Sequence, residues 1–135
     1  MLVTVRTEPS KLRAANLAGP TGSWKPLLPE RLPEGATLEL IERERPDRIV
    51  TFHQAADRLD YDGPAQGLAE AMAAVCPLEV ARMGARPGSL GSWAGVDLSI
   101  PVVTVELPRH ADDQLPSERW ELYGDMLRVA LRYPE

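Results

Sequence analysis

The sequence predicts an α/β domain, and three observations carry that expectation. Two short runs rich in β-branched residues, Arg48 to Phe52 and Val102 to Leu107, have the length and bounding turn residues of buried strands. Between them Ala65, Leu68, Ala69, Met72, Ala73 and Cys76 recur at the spacing of one helix face. After Ser117 a last segment repeats that spacing in Trp120, Tyr123, Leu127, Ala130 and Leu131. Strands alternating with helices bury a sheet beneath helices, which is the α/β arrangement.

Along the chain, Leu2 to Val5 reads as a first strand, and Glu8 to Arg31 has a loop composition with Gly19-Pro20, Gly22, Pro26 and Pro29. Pro33-Glu34 opens a helix running to about Arg45, with Leu38 and Ile41 three apart and Pro46 closing it. The strand from Arg48 follows and places His53 at its carboxyl end. Asp62-Gly63-Pro64 is a turn, and the helix from Ala65 to Cys76 follows it. Gly84 to Gly95 reads as a glycine- and proline-punctuated stretch before the strand that ends on Glu106 and Pro108. Ser117 is placed to cap the last helix, which carries Glu118 and Glu121 early and Arg128 and Arg132 late, as its dipole favours.

With 135 residues, 44% of them hydrophobic and 26% charged, the chain suits a single domain spanning residues 1–135 with a real core. A net charge of −5 with interspersed signs gives no basic patch for nucleic acid. No apolar run has the length of a membrane span, and Met1 to Thr7 lacks the organisation of a signal peptide, so a cytoplasmic location is expected. Cys76 is the sole cysteine and, beside Ala73, Ala74 and Val75, reads as a buried structural thiol.

Ligands of open α/β sheets bind outside the carboxyl ends of strands, where His53 and Glu106 both fall. A carboxylate within Val-Val-Thr-Val-Glu-Leu faces a cleft, faces solvent, or pairs with a neighbour such as Arg109. For His53 the alternatives are a metal ligand and a hydrogen-bonded strand-end histidine. His110 lies past Pro108 in a polar loop and reads as solvated, as does the pair Asp112-Asp113. Gly88-Ser89-Leu90-Gly91 reads as a structural turn, since no Ser-His-Asp order accompanies it, and Trp24, Trp93 and Trp120 are scattered anchors.

Several of these stretches resemble the zinc carboxypeptidase family, especially its bacterial murein-peptide amidase branch. Ser89-Leu90-Gly91-Ser92-Trp93-Ala94-Gly95-Val96-Asp97, followed by Ile100-Pro101-Val102-Val103-Thr104-Val105-Glu106-Leu107-Pro108, is similar to the segment that ends in the family's general-base glutamate. Pro46-Asp47-Arg48-Ile49-Val50-Thr51-Phe52-His53-Gln54, with Asp60-Tyr61-Asp62-Gly63-Pro64-Ala65 after it, is similar to the strand that delivers the third zinc ligand. Asn16 to Trp24 weakly resembles the loop that grips the substrate carboxylate. The resemblance implies the C-terminal half of that family's fold, a mixed sheet flanked by helices. It further implies Glu106 as the catalytic base, His53 as a zinc ligand and Asn16 as a substrate-binding residue. The substrate implied is a peptide or muropeptide cleaved at its C-terminal amide bond.

The same resemblance marks three departures. The family's His-x-x-Glu motif, which supplies two zinc ligands, has no counterpart in the 135 residues. Leu17 stands where a carboxylate-binding Arg should follow Asn16, and the segment before Gly88 holds Arg82, Met83 and Arg86 but no Tyr. Two functions follow as expectations: a peptidase part completed by a segment supplying the other ligands, or a metal-free relative acting as a binding module. Either one predicts a second copy or a partner chain covering an open sheet edge.

Overall fold

The computed structural model describes residues 2–5 and 36–134. Its centre is a five-stranded mixed sheet in the order β1-β2-β5-β3-β4, built from β1 (Leu2–Val5), β2 (Arg48–Gln54), β3 (Arg58–Asp62), β4 (Glu79–Val80) and β5 (Val102–Leu107). Helices α1 (Ala36–Glu44), α2 (Gln66–Ala73) and α3 (Pro116–Arg132) flank it. The expected α/β class and mixed sheet are therefore present. Among the described residues no helix is long and apolar enough to cross a membrane.

β2 and β5 pair in parallel at the middle of the sheet and are apolar on both faces only where they begin, at Ile49-Val50 and Val102-Val103; beyond that one face stays apolar and the other turns polar. On one face Val50, Val103, Val105 and Leu59 pack under α2 and α3, against Leu68, Met72, Tyr123, Met126 and Ala130. On the other, Ile49 and Val102 meet Ile41 of α1 and Ala94. That second cluster is small, and beyond it the same face carries polar residues. Arg48, buried at the start of β2, donates to the carbonyl of Ala130 at 3.0 Å and so ties the strand to the C-terminal end of α3, where carbonyls are otherwise unpartnered.

Several elements differ from the sequence expectation. β3 and β4 were not expected; β3 is the alternating strand Arg58-Leu59-Asp60-Tyr61-Asp62, whose two aspartates depress its strand character when taken residue by residue. In α1 only Ile41 enters the core, and Leu38 stays exposed; residues 33–35, the expected helix start, lie outside the described residues. α2 ends at Ala73, three residues before Cys76, because the next amides bond three residues back (Val75 to Met72, Cys76 to Ala73) and Pro77 stops the helix. Cys76 is half-buried rather than fully enclosed, and burial pushes its thiol pKa up. α3 starts at Pro116, so Ser117 is not its cap; the Glu118 carboxylate accepts the Leu115 N–H at 2.7 Å instead. The buried stripe of α3 runs through Tyr123, Met126 and Ala130, which leaves Trp120 and Leu131 exposed, contrary to the expected face.

The stretch read as a loop from Gly84 to Gly95 contains a widened, π-type helical segment, Gly91–Asp97, in which the Leu98 amide reaches the Trp93 carbonyl at 3.0 Å. Glycine is required there by close approach. A Cβ on Gly95 would stand 2.7 Å from the Asp62 Cβ, and one on Gly91 would stand 2.6 Å from the Asp62 Cγ. Gly63, at φ +64°, makes the matching turn on the strand side. Gly95→Ala should therefore destabilise the domain by roughly 1–3 kcal/mol, the usual range for overpacking. Urea denaturation would measure this, and an unchanged midpoint would show that the π-type segment is not seated against Asp62.

Candidate functional site

The face of the sheet opposite α2 and α3 carries three rows of side chains, fixed by the strand register. Ile49 of β2, Val102 of β5 and Asp62 of β3 form the row nearest α1; Thr51, Thr104 and Asp60 form the next; His53, Glu106 and Arg58 form the last. The first row is part apolar and covered. The other two open into a groove of about 430 Å³ whose lining includes Thr51, His53, Thr104, Glu106, Asp60 and Asp62, closed on one side by residues 83–86 and 89–91.

His53 and Glu106, singled out from the sequence, are direct register partners on adjacent parallel strands. Their side chains leave the same face of the sheet, because alternation along each strand sends Thr51 with His53 and Thr104 with Glu106. His53 is exposed and Glu106 half-buried, at the carboxyl ends of both strands. The Thr51 hydroxyl donates to that of Thr104 at 3.0 Å, one row below, which holds the two strand ends together. Above them Gln54 donates from its amide nitrogen to the carbonyls of Pro108 and Arg109, at 3.1 and 2.9 Å. Glu106 forms no ion pair with Arg109. Arg58, its register partner on β3, directs its Nε to the Ala56 carbonyl at 2.8 Å.

Two residues of the groove are not among the site candidates that the sequence offers, Asp60 and Asp62, the latter marked there only as the start of a turn. Asp60 Oδ1 accepts the N–H groups of Tyr61, at 2.9 Å, and Met83, at 2.7 Å, and so pins the loop that walls the groove. Asp62 is only 5% exposed, and its Oδ1 is buried with no hydrogen-bond partner. Burial, and next the charge of Asp60, push its carboxyl pKa above the ordinary 3.8, while Arg82 opposes the rise. The signal available in the sequence was the alternation in β3, which puts both acids on the face of His53 and Glu106. Ser89 is also in the lining, with its hydroxyl accepting the Ser92 N–H at 3.1 Å; it braces the turn, consistent with a structural role. His110 and the pair Asp112-Asp113 are exposed in a short 3-10 segment, Arg109–Asp113. Asn16 lies outside the described residues.

As a metal site the arrangement offers two donors, His53 and Glu106, on one rim. Among the described residues no group of three or more His, Cys, Asp or Glu side chains could hold a metal ion. A tetrahedral zinc site takes three protein ligands, so the described residues do not by themselves fit that ion.

No protein-family model matches the chain, and no curated protein matches its sequence. Among solved structures it is similar to the crystal structure of murein-tripeptide amidase MpaA from Escherichia coli O157, at 23% sequence identity and a TM-score of 0.57. The match covers 100% of this chain and 54% of that one, so the chain spans about half the length of the amidase. The likeness shows a shared fold.

Asp62 yields a prediction for stability. The folded state holds its proton more tightly than the unfolded chain does, so the residue costs the fold stability at neutral pH, and the cost fades as pH falls through the raised value toward 3.8. Asp62→Asn should leave the domain at least as stable at pH 7, with a gain of up to about 1 kcal/mol that shrinks at pH 4. Urea midpoints at the two pH values would measure it; a loss greater at pH 7 than at pH 4 would contradict it.

Proposed function

We propose that the groove is the proton-transfer half of an amide-hydrolysing site, with Glu106 as the base and His53 as one donor to a metal whose other ligands come from outside the described residues. The observation that carries this reading is the register pairing of His53 with Glu106 at the carboxyl ends of two parallel strands, above a groove large enough for an amino-acid side chain. The likeness in fold to a murein-tripeptide amidase supports it.

Glu106 is half-buried on the groove rim and has no ion pair among the described residues, so its carboxylate is available to take a proton from an attacking water and return it to the departing amine. His53, exposed beside it, keeps its imidazole accessible. The hydroxyl pair Thr51–Thr104 and the amide of Gln54 hold the two strand ends together, so the backbone positions of base and imidazole are fixed by strand pairing. The substrate class of this reading is a peptide or muropeptide cut at its C-terminal amide bond, with Asn16 as a contact to the substrate carboxylate. The completing ligands would arrive with a partner chain or a further segment, the same element that the open sheet edge was expected to recruit.

Two measurements test this. Zinc titrated into the 135-residue chain should shift the His53 imidazole resonances with weak affinity, since two donors make a poor site, and His53→Ala should remove the response. In any assembly that hydrolyses peptides, Glu106→Gln should lower turnover by roughly 10²–10⁴-fold. Zinc that leaves the His53 resonances unmoved, or full turnover in Glu106→Gln, would sink the proposal.

A further inference from the structure

Helix α3 is apolar over more of its surface than the sheet and α2 cover. Tyr123, Met126 and Ala130 are buried in the core. Beside them Pro116, Trp120, Leu127 and Leu131 form a second apolar line, which the helical period keeps on one flank. Trp120 and Leu131 remain 52% and 41% exposed, so the line is a continuous surface stripe rather than a scatter of single residues. Gly124 lies within it. A Cβ there would stand 2.8 Å from the Trp120 Cδ2, so the glycine lets the indole lie flat along the helix. α2 takes the other flank of α3, where Ala71 and Ala74 adjoin Val129. The stripe borders a hollow of about 330 Å³ whose lining includes Phe52 of β2 and Leu107 of β5.

The spacing and the charges of the stripe state what it fits. Its gaps are four, seven and four residues, symmetric about the point between Tyr123 and Gly124. A second α3 laid antiparallel therefore sets Pro116 against the partner's Leu131 and Trp120 against the partner's Leu127, and the reverse, as an isologous contact requires. Glu121 and Arg128 border the stripe on its solvent side. In the same register each Glu121 stands about 3 Å along the axis from the partner's Arg128, within reach of that side chain. Two opposite-charge contacts result, related by the two-fold axis. A parallel second helix would instead set Glu121 against Glu121 and Arg128 against Arg128, and would align the helix dipoles unfavourably. Arg128 is already held over the Trp120 ring, at 5.2 Å from its centroid, and its pair with Asp125 is an exposed one of little worth.

We propose that this stripe is the contact between two copies of the chain, formed by antiparallel pairing of their α3 helices. At 17 residues the helix is about 25 Å long. A contact of that length and one helix wide is smaller than the roughly 800 Å² per partner of a standard interface, so the dimer is one of micromolar strength that forms and separates. The helix lies on the face of the sheet opposite the groove, and the second copy leaves the groove open. The zinc response of His53 is accordingly independent of it.

Sedimentation equilibrium of the 135-residue chain, from about 1 to about 200 μM, tests this. A monomer–dimer equilibrium should appear with its midpoint in that range. Glu121→Arg and Arg128→Glu, each at an exposed position, should weaken the dimer at least about tenfold, because each sets like charges across the contact. The double variant should return it to within about threefold of the wild type. Circular dichroism spectra matching the wild type would show the variants folded. Leu131→Glu, also at an exposed position, reads the apolar stripe apart from the charge pair and should weaken the dimer by a similar factor. A chain that stays monomeric throughout, as when a different element covers the stripe, would overturn the inference. So would larger aggregates, a dimer indifferent to these single variants, or a double variant no tighter than either of its parents.

Discussion

The parallel pairing of β2 with β5 is the constraint on which the rest depends. Its register sets Ile49 against Val102, Thr51 against Thr104 and His53 against Glu106. Because side chains alternate, a slip of one residue would send the apolar residues of one strand to the groove and its polar residues under α2 and α3. The core thereby fixes the site. Val50, Val103 and Val105, all fully buried, hold the register from one face, and the candidate base and its imidazole neighbour inherit their placement on the other.

The second constraint is the contact between the end of β3 and the π-type segment Gly91–Asp97. Asp62 and Gly63 sit against Gly91 and Gly95 closely enough that neither of the latter two can carry a Cβ without displacement. An i+5 hydrogen-bond pattern widens the helical turn there, and such turns recur where a backbone must yield to a functional side chain. What is accommodated is a carboxylate that the surroundings leave unmet.

The strands β2 and β5 could be read from the sequence because strands buried on both faces are written as unbroken β-branched runs, and α2 because its apolar face has the helical period. These two strands carried His53 and Glu106 with them. β3 could not be read in the same way, since only Leu59 and Tyr61 of its five residues are apolar and its two aspartates act through their surroundings. An aspartate in a turn motif and one beneath a groove look identical in one dimension. Likewise the period of α3 included Trp120 and Leu131, which lie at the margins of the stripe; their exposure depends on where α2 crosses, with Tyr123, Met126 and Ala130 at the contact. The π-type segment escaped because its glycines, which announce a loop locally, are there for a tertiary contact.

Fold and chemistry separate at the rim. Each strand end contributes one donor because alternation allows only one side chain per two residues to face the groove, so two adjacent strands deliver His53 and Glu106 and nothing more at that level. The next row down is Thr51 and Thr104, whose hydroxyls are spent on each other. The third strand could have supplied a donor in the top row, but it places Arg58 there, and sets its acids one and two rows deeper. A metal at the rim thus needs ligands from outside the described residues, whereas both acids in the depth of the groove come from β3.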